Sequence, residues 1–193
     1  MYKKIVWPIC ILVLFLFSGL ALANDLGSLF EQVEKLKIER HGYILGAALN
    51  QGQMETAAAN PVDAASPDTF KFKDKNLYVV AQKTSHRVLV IYEQLEAASQ
   101  QKIQDLVGDL YMNFDDPTVL AHDKVVYWAY TKKGKITSIE FDTARQNKKQ
   151  LNILATVKFI SDINIMETVK EPATGQVYYI ISSDPILKLF KDT

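Results

Sequence analysis

The spacing of apolar positions along the chain predicts two amphipathic helices. In the first, over Asp25–Arg40, apolar residues recur at steps of three and four and therefore share one face. The second covers Ala97–Phe114 with the same spacing, and Ser99 is placed to cap it. A short closing helix is predicted to start at Asp184, because the proline that follows is tolerated in a first helical turn.

Much of the remaining chain has the apolar runs and the alternation of strands. Leu77–Gln82 and Arg87–Tyr92 flank a short polar connection and predict a hairpin. Lys124–Thr131 and Lys135–Asp142 predict a second hairpin, which turns at Gly134 because glycine supplies the positive φ of a tight turn. The other predicted strands are Tyr43–Leu49, Thr69–Phe72, Leu151–Ile160, Ile163–Val169 and Val177–Ser182.

These elements predict the fold class and the domain count. Tight turns join the neighbouring strands, so we expect an α+β fold with a mainly antiparallel sheet of about five to eight strands. The two amphipathic helices are expected to pack on one face of that sheet. The length suits a single domain over residues 24–193. Gly52–Pro67 has no apolar periodicity and is predicted to be a mobile loop.

The first 23 residues predict export. Lys3 and Lys4 precede an uncharged apolar run, Ile5–Leu22, and Ala21-Leu22-Ala23 fits a signal-peptidase site. Cleavage near Ala23 would give a periplasmic or secreted protein, and an uncleaved anchor is the alternative. Cleavage also removes Cys10, the one cysteine, so the mature chain would have no thiol for a disulfide or a thiolate metal site.

Charge and motifs argue against several classes of protein. The chain has 22 basic and 22 acidic side chains, and loss of the two signal-peptide lysines leaves a net charge of −2. A near-neutral chain argues against nucleic-acid binding, and no second apolar run predicts a membrane span after cleavage. The sequence lacks a Gly-x-Ser-x-Gly elbow, the phosphate-binding glycine patterns and a His-Glu-x-x-His motif. We therefore predict no cofactor, no metal and no catalytic residue.

The loop from Asp115 to Asp123 is the first candidate site. Asp115, Asp116, His122 and Asp123 fall within nine residues, between a predicted helix and a predicted hairpin. If these side chains converge, they suit a divalent cation or a small polar ligand. The competing interpretation is turn chemistry, because Asp-Asp-Pro is typical of helix ends.

An aromatic cluster on one predicted strand is the second candidate. Tyr127, Trp128 and Tyr130 alternate along it, with Tyr127 on the opposite face from the other two. Aromatic rings are suitable walls for a ligand groove. Core packing is the alternative, since strands favour aromatic residues in any case.

Three lysines surround Gly134 at the tip of the second predicted hairpin. The expected interpretation is a charged turn in water, because three lysines form a small cluster. Contact with phosphate or with anionic lipid headgroups is the alternative.

Together these features predict a non-enzymatic ligand- or protein-binding module that is exported to the periplasm. The expected partner is an envelope protein or a small molecule. The alternatives are a small periplasmic hydrolase or metal-dependent enzyme that uses the Asp115–Asp123 loop, and a purely structural subunit. The predicted ligand-binding residues are Tyr127, Trp128, Tyr130, Asp116, His122 and Asp123.

Overall fold

The computed structural model describes residues 25–64, 66–166 and 174–190. It confirms the α+β class with a mainly antiparallel sheet. The main sheet has nine strands rather than five to eight, and the described residues add a two-stranded sheet and five helices. No helix among these residues combines the length and the apolar character needed to cross a membrane. The predicted signal peptide lies outside the described residues.

The helices and strands alternate irregularly along the chain. The helices are α1 (residues 25–34), α2 (Gln51–Ala59), α3 (Gln100–Phe114), α4 (Ser138–Gln146) and α5 (Asp184–Lys188). The strands are β1 (Glu39–Arg40), β2 (Tyr43–Ile44), β3 (Pro61–Val62), β4 (Thr69–Asp74), β5 (Leu77–Gln82), β6 (Val88–Ser99), β7 (Val119–Ala121), β8 (Val125–Thr131), β9 (Gly134–Lys135), β10 (Ala155–Ser161) and β11 (Thr174–Ser182). β1 pairs with β2, and the main sheet has the order β3-β4-β5-β6-β11-β10-β8-β7, with β9 also on β8.

One face of the main sheet carries the core. Helix α3 packs on this face through its apolar side, and the Ser99 hydroxyl caps it by accepting the Lys102 N–H at 3.3 Å, as predicted. The β1–β2 hairpin lies on the same face, because the Tyr43 hydroxyl donates to the Asp74 carboxylate at 3.0 Å. A row in register across six strands of this face is fully buried: Phe72, Val79, Ile91, Ile181, Val157 and Trp128.

The opposite face of the sheet is half-buried and rich in tyrosine. Tyr78 stacks on Tyr92 with ring centroids 4.8 Å apart. The ammonium of Lys73 lies over the Tyr78 ring, and that of Lys158 lies over Tyr127. Since lysine stems cover apolar surface while their charges stay in water, this face is partly shielded by the sheet's own side chains.

The strand predicted over Lys135–Asp142 is wrong. The turn at Gly134 is confirmed, with φ of +108°, but β9 ends at Lys135 and α4 follows. The reason is a capping box: the Glu140 N–H donates to the Thr137 hydroxyl at 3.2 Å, and the Thr137 N–H donates to the Glu140 carboxylate at 2.9 Å.

The loop predicted over Gly52–Pro67 is also wrong for most of its length, because the segment holds most of α2 and all of β3. Asn50 and Gln53 form a second capping box that starts α2. Ala57 is the one buried residue of this helix, so the apolar spacing that would have predicted it is missing.

Several further boundaries differ from the prediction. The strand predicted over Tyr43–Leu49 is observed only as β2, β6 runs on to Ser99 so that α3 begins at Gln100, and β10 begins at Ala155.

The first helix ends at residue 34 rather than 40, and Lys37 takes a left-handed conformation with φ of +54°. Residues 163–166 do not form the predicted strand, because the Ile165 N–H donates to the Asp123 carbonyl at 2.7 Å rather than to a neighbouring strand. The rest of that predicted strand lies outside the described residues.

Candidate functional site

A cleft with an apolar floor and a basic rim lies beside α4, and we call it the α4 cleft. It measures about 1670 Å³, counting the solvent in its open mouth. Its walls are α4, the turn between β8 and β9, and residues 149–154. Residues three and four apart share a helix face. This face of α4 and the residues flanking the helix contribute Ile136, Ile139, Glu140, Thr143, Ala144 and Asn147.

The floor of the cleft is buried and the rim is charged. Ile136, Ala144 and Leu154 are buried and belong to the floor. Lys132 and Lys133 at the turn and Lys149 after α4 form the rim, and all three side chains are exposed. Within the described part of the chain, none of these three lysines has a carboxylate within 4 Å.

A fourth lysine has a structural role instead. The Lys135 ammonium donates to the carbonyl oxygens of Phe114 and Asp116, at 2.8 and 3.1 Å, and lies 3.5 Å from the Asp115 carboxylate. These contacts join the β9 side of the cleft to the end of α3. The Lys135 charge is therefore already neutralised within the protein.

Among the described residues, Glu140 is the one acidic side chain that lines the cleft. Hydrogen bonds from the Thr137 N–H and then from the Thr137 hydroxyl lower the pKa of Glu140, and the nearby Lys133 charge lowers it further. This carboxylate is held in the capping box and forms no ion pair within 4 Å of a rim lysine, although its charge offsets part of theirs. The cleft consequently has a local excess of positive charge.

Thr118 holds the wall of the cleft in place. It is 2% exposed, its hydroxyl donates to the Ile136 carbonyl at 2.6 Å, and the same oxygen accepts the Ala129 N–H at 3.0 Å. One hydroxyl thus satisfies a backbone group on β8 and another at the start of the α4 segment. Buried backbone groups need such partners, so Thr118 helps to fix where α4 begins.

The candidate loop Asp115–Asp123 is divided by β7, so Asp116 lies before that strand and His122 and Asp123 lie after it. The Asp123 carboxylate accepts the Met166 N–H at 3.2 Å, and its backbone is in the left-handed region with φ of +53°. The described residues contain no group of three His, Cys, Asp or Glu side chains arranged to hold a metal ion. The polar groups of this loop form hydrogen bonds within the protein: the Asp123 carboxylate accepts the Met166 N–H, and the Asp115 carbonyl accepts the Trp128 indole N–H.

The aromatic candidates lie on two faces of the sheet, as predicted. Tyr127 lies on the half-buried face. Trp128 is fully buried, its indole N–H donates to the Asp115 carbonyl at 2.9 Å, and its ring packs against Phe114. Tyr130 is also buried, and burial followed by the Asp115 charge raises the pKa of Tyr130 to about 12. Trp128 and Tyr130 are therefore part of the core, away from Tyr127.

A second depression lies under α3, and we call it the α3 chamber. The Arg40 guanidinium donates to the Glu93 carboxylate at 3.2 Å and lies 5.2 Å from the Tyr179 ring centre. The Tyr179 hydroxyl is buried without a hydrogen-bond partner among the described residues, and burial strongly raises the pKa of Tyr179. The chamber has about 260 Å³ between atoms, and its open part would hold about one water molecule.

The sequence indicated the lysine turn but not the cleft behind it. The apolar floor comes from Ile136, Ala144 and Leu154, which are brought together by a helix that the apolar pattern did not predict. The Thr-x-x-Glu spacing from Thr137 to Glu140 is the signal that identifies this helix. Comparisons with protein-family models, curated proteins and solved structures find no significant match to this chain.

Proposed function

We propose that this protein is a non-enzymatic binding module and that its ligand occupies the α4 cleft. The observation that carries the proposal is the combination of a buried apolar floor with three rim lysines, none of which has a carboxylate within 4 Å in the described structure. Small-molecule sites are typically concave and mostly apolar, with a few charged groups that fix orientation. The α4 cleft has this combination.

The chemistry of the lining favours binding over catalysis. The polar side chains of the cleft are lysines, amides, threonines and Glu140. Glu140 accepts hydrogen bonds from Thr137 in the capping box, so it is poorly placed to act as a general base. What the lining offers a ligand is apolar contact and positive charge.

Export is part of the proposal. The two lysines, the apolar run and the Ala-Leu-Ala site within residues 1–23 support secretion to the periplasm or beyond. An exported module of this kind would meet its ligand outside the cytoplasm.

The proposal is tested by a substitution that places a large side chain in the cleft at an exposed position, where it should not disturb the core. Thr143 lines the cleft on the exposed side of α4, whereas Gln146 is exposed on the same helix and does not line the cleft. We expect Thr143→Trp to weaken binding of the apolar fluorophore N-phenyl-1-naphthylamine at least about tenfold, which corresponds to roughly 1.4 kcal/mol. Gln146→Trp should bind it like the parent protein, as measured by fluorescence titration.

Thermal unfolding of both variants shows whether each still folds. Equal binding by the parent protein and by a folded Thr143→Trp variant would contradict the proposal, because the fluorophore would then bind elsewhere. Failure of the parent protein to bind would contradict it as well.

A further inference from the structure

We infer that the ligand of the α4 cleft is a monomeric amphiphile of the fatty-acid type, with one acyl chain and one anionic head group. The inference rests on the proposed function, because it names the ligand of the same cleft. The chain would lie along the floor between Ile136 and Leu154, and the head group would lie among Lys132, Lys133 and Lys149.

The charge of the lining identifies the head group as an anion. The chain without its predicted signal peptide carries a net charge of −2, yet four lysines and one glutamate line this cleft. Lys135 is neutralised by Asp115, and Glu140 is engaged by Thr137. Glu140 keeps its negative charge, so the three rim lysines and Glu140 together leave a net charge of +2 for a ligand. Charge complementarity therefore favours an anion over a neutral or cationic group.

The floor identifies the rest of the ligand as apolar. Ile136 and Leu154 are buried, Leu151 is half-buried, and Ala144 leaves open the space that a larger side chain would fill. The apolar side chains of the lining that remain accessible are the half-buried Leu151 and the exposed Ile139, and a purely polar anion would leave them in water. Each methylene that an acyl chain buries there strengthens binding about threefold to fourfold.

The shape of the region favours a single molecule over a bilayer. Membrane-surface binding uses apolar side chains that project from the protein. Of the large apolar side chains exposed in the described residues, only Ile139 borders the cleft. The other apolar side chains of the lining are buried or half-buried, so a chain that contacts them has to enter the cleft.

The experiment compares ten-carbon ligands that differ in head-group charge. Decanoate and decyltrimethylammonium are titrated below their critical micelle concentrations and 1-decanol below its solubility limit, by displacement of N-phenyl-1-naphthylamine at neutral pH. We expect decanoate to bind about tenfold more tightly than decanol, and the cation to bind most weakly. Dodecanoate should bind about tenfold more tightly than decanoate, because it buries two more methylenes.

Charge reversal locates the head group. Lys133→Glu should weaken decanoate binding about tenfold and leave decanol binding unchanged. Lys102→Glu, at an exposed position of α3 outside the cleft, alters the net charge equally and should leave both affinities unchanged. Equal effects of the two variants would contradict the inference, because the anion would then sense only the net charge.

Failure of the inference can be told apart from failure of the proposed function. If decanol binds as tightly as decanoate, and Thr143→Trp blocks both, the cleft binds ligands but does not recognise an anion. If neither the fluorophore nor any ten-carbon ligand binds, the proposed function fails too. If phosphatidylglycerol vesicles bind the protein and Thr143→Trp does not affect this, the partner is a bilayer surface and the inference is overturned.

Discussion

The α3 chamber and the α4 cleft both combine apolar walls with charged side chains, but they treat the charge differently. In the chamber, Arg40 and Glu93 are nearly buried and form an ion pair. In the cleft, Lys132 and Lys133 are exposed, and neither has a carboxylate partner among the described residues. Of the two regions, only the cleft therefore has charged side chains that form no ion pair with a described residue and are accessible to a ligand.

The difference follows from the cost of removing a charge from water. A buried charge without a partner is strongly destabilising, so charges close to the core need internal partners. An exposed lysine keeps its hydration and needs none. A charged side chain that is buried and paired therefore indicates a structural role. A charged side chain that is exposed beside an open apolar surface indicates a role in binding.

The largest expected effect comes from breaking the ion pair of the chamber. Glu93→Ala leaves the nearly buried Arg40 charge without its carboxylate, so we expect the free energy of unfolding to fall by about 3 kcal/mol. Lys133→Ala at the rim of the cleft should change it by less than about 0.5 kcal/mol. Urea denaturation of both variants measures the contrast.

Glu96 provides the control, since it lies exposed on the same strand as Glu93. Glu96→Ala is expected to behave like Lys133→Ala. A loss for Glu93→Ala no greater than that of the two exposed variants would remove the distinction between the two regions.

The next largest effect tests how the cleft is held open. Thr118→Val keeps the shape of the side chain but leaves the Ile136 carbonyl and the Ala129 N–H without their shared partner. We expect a loss of about 2 kcal/mol in stability, together with weaker binding of N-phenyl-1-naphthylamine. Thr131→Val removes the 3.4 Å hydrogen bond to the Gly134 carbonyl and the 3.2 Å hydrogen bond from the Lys133 N–H. Because water can replace both partners at this turn, the variant should cost less than about 1 kcal/mol. Equal losses for the two would show that Thr118 has no special role.

The smallest effect concerns alkaline pH. Burial, the hydrogen bond to Asp74 and the charge of Asp74 raise the pKa of Tyr43 to about 12, from about 10 in an unfolded chain. The folded state thus favours the neutral phenol, and this stability is complete below pH 10 and lost as the pH rises towards 12. Tyr43→Phe should reduce the slope of stability against pH over this window in urea titrations.

None of the tyrosines that the structure describes lines the cleft, so the Thr143→Trp variant should keep the slope of the parent protein. An unchanged slope in Tyr43→Phe would show that other tyrosines, such as the buried Tyr130, account for the alkaline loss.

Elements with a strong apolar pattern could be predicted closely from the sequence. Helix α3 was predicted to end at Phe114, as observed, and β5 has its predicted bounds. Both have a continuous apolar side that packs against the core. For such segments the local pattern and the tertiary contacts favour the same structure, so the sequence is sufficient.

The two missed helices have few apolar contacts. Ala57 is the one buried residue of α2, and Ala144 is the one buried residue of α4. With so little burial, neither helix has a periodic apolar side. Their capping boxes, at Asn50 and Thr137, are local signals that the sequence contains but that apolar spacing does not reveal.

For the candidate site residues, too, the sequence predicted local geometry but not tertiary contacts. The sequence placed Tyr127 opposite Trp128 and Tyr130, because alternation along a strand is a local property. It did not determine that Trp128 would be buried under Phe114 while Lys132 and Lys133 would border a cleft.

By itself, the sequence determined the α+β class, the antiparallel β5–β6 hairpin and the amphipathic character of α3, because these depend on spacing within single segments. Only the tertiary structure decided which charges are paired and where an apolar surface stays open. Those properties depend on contacts between distant parts of the chain, such as Thr118 with Ile136 and Arg40 with Glu93. The spacing of residues within one segment does not predict such contacts.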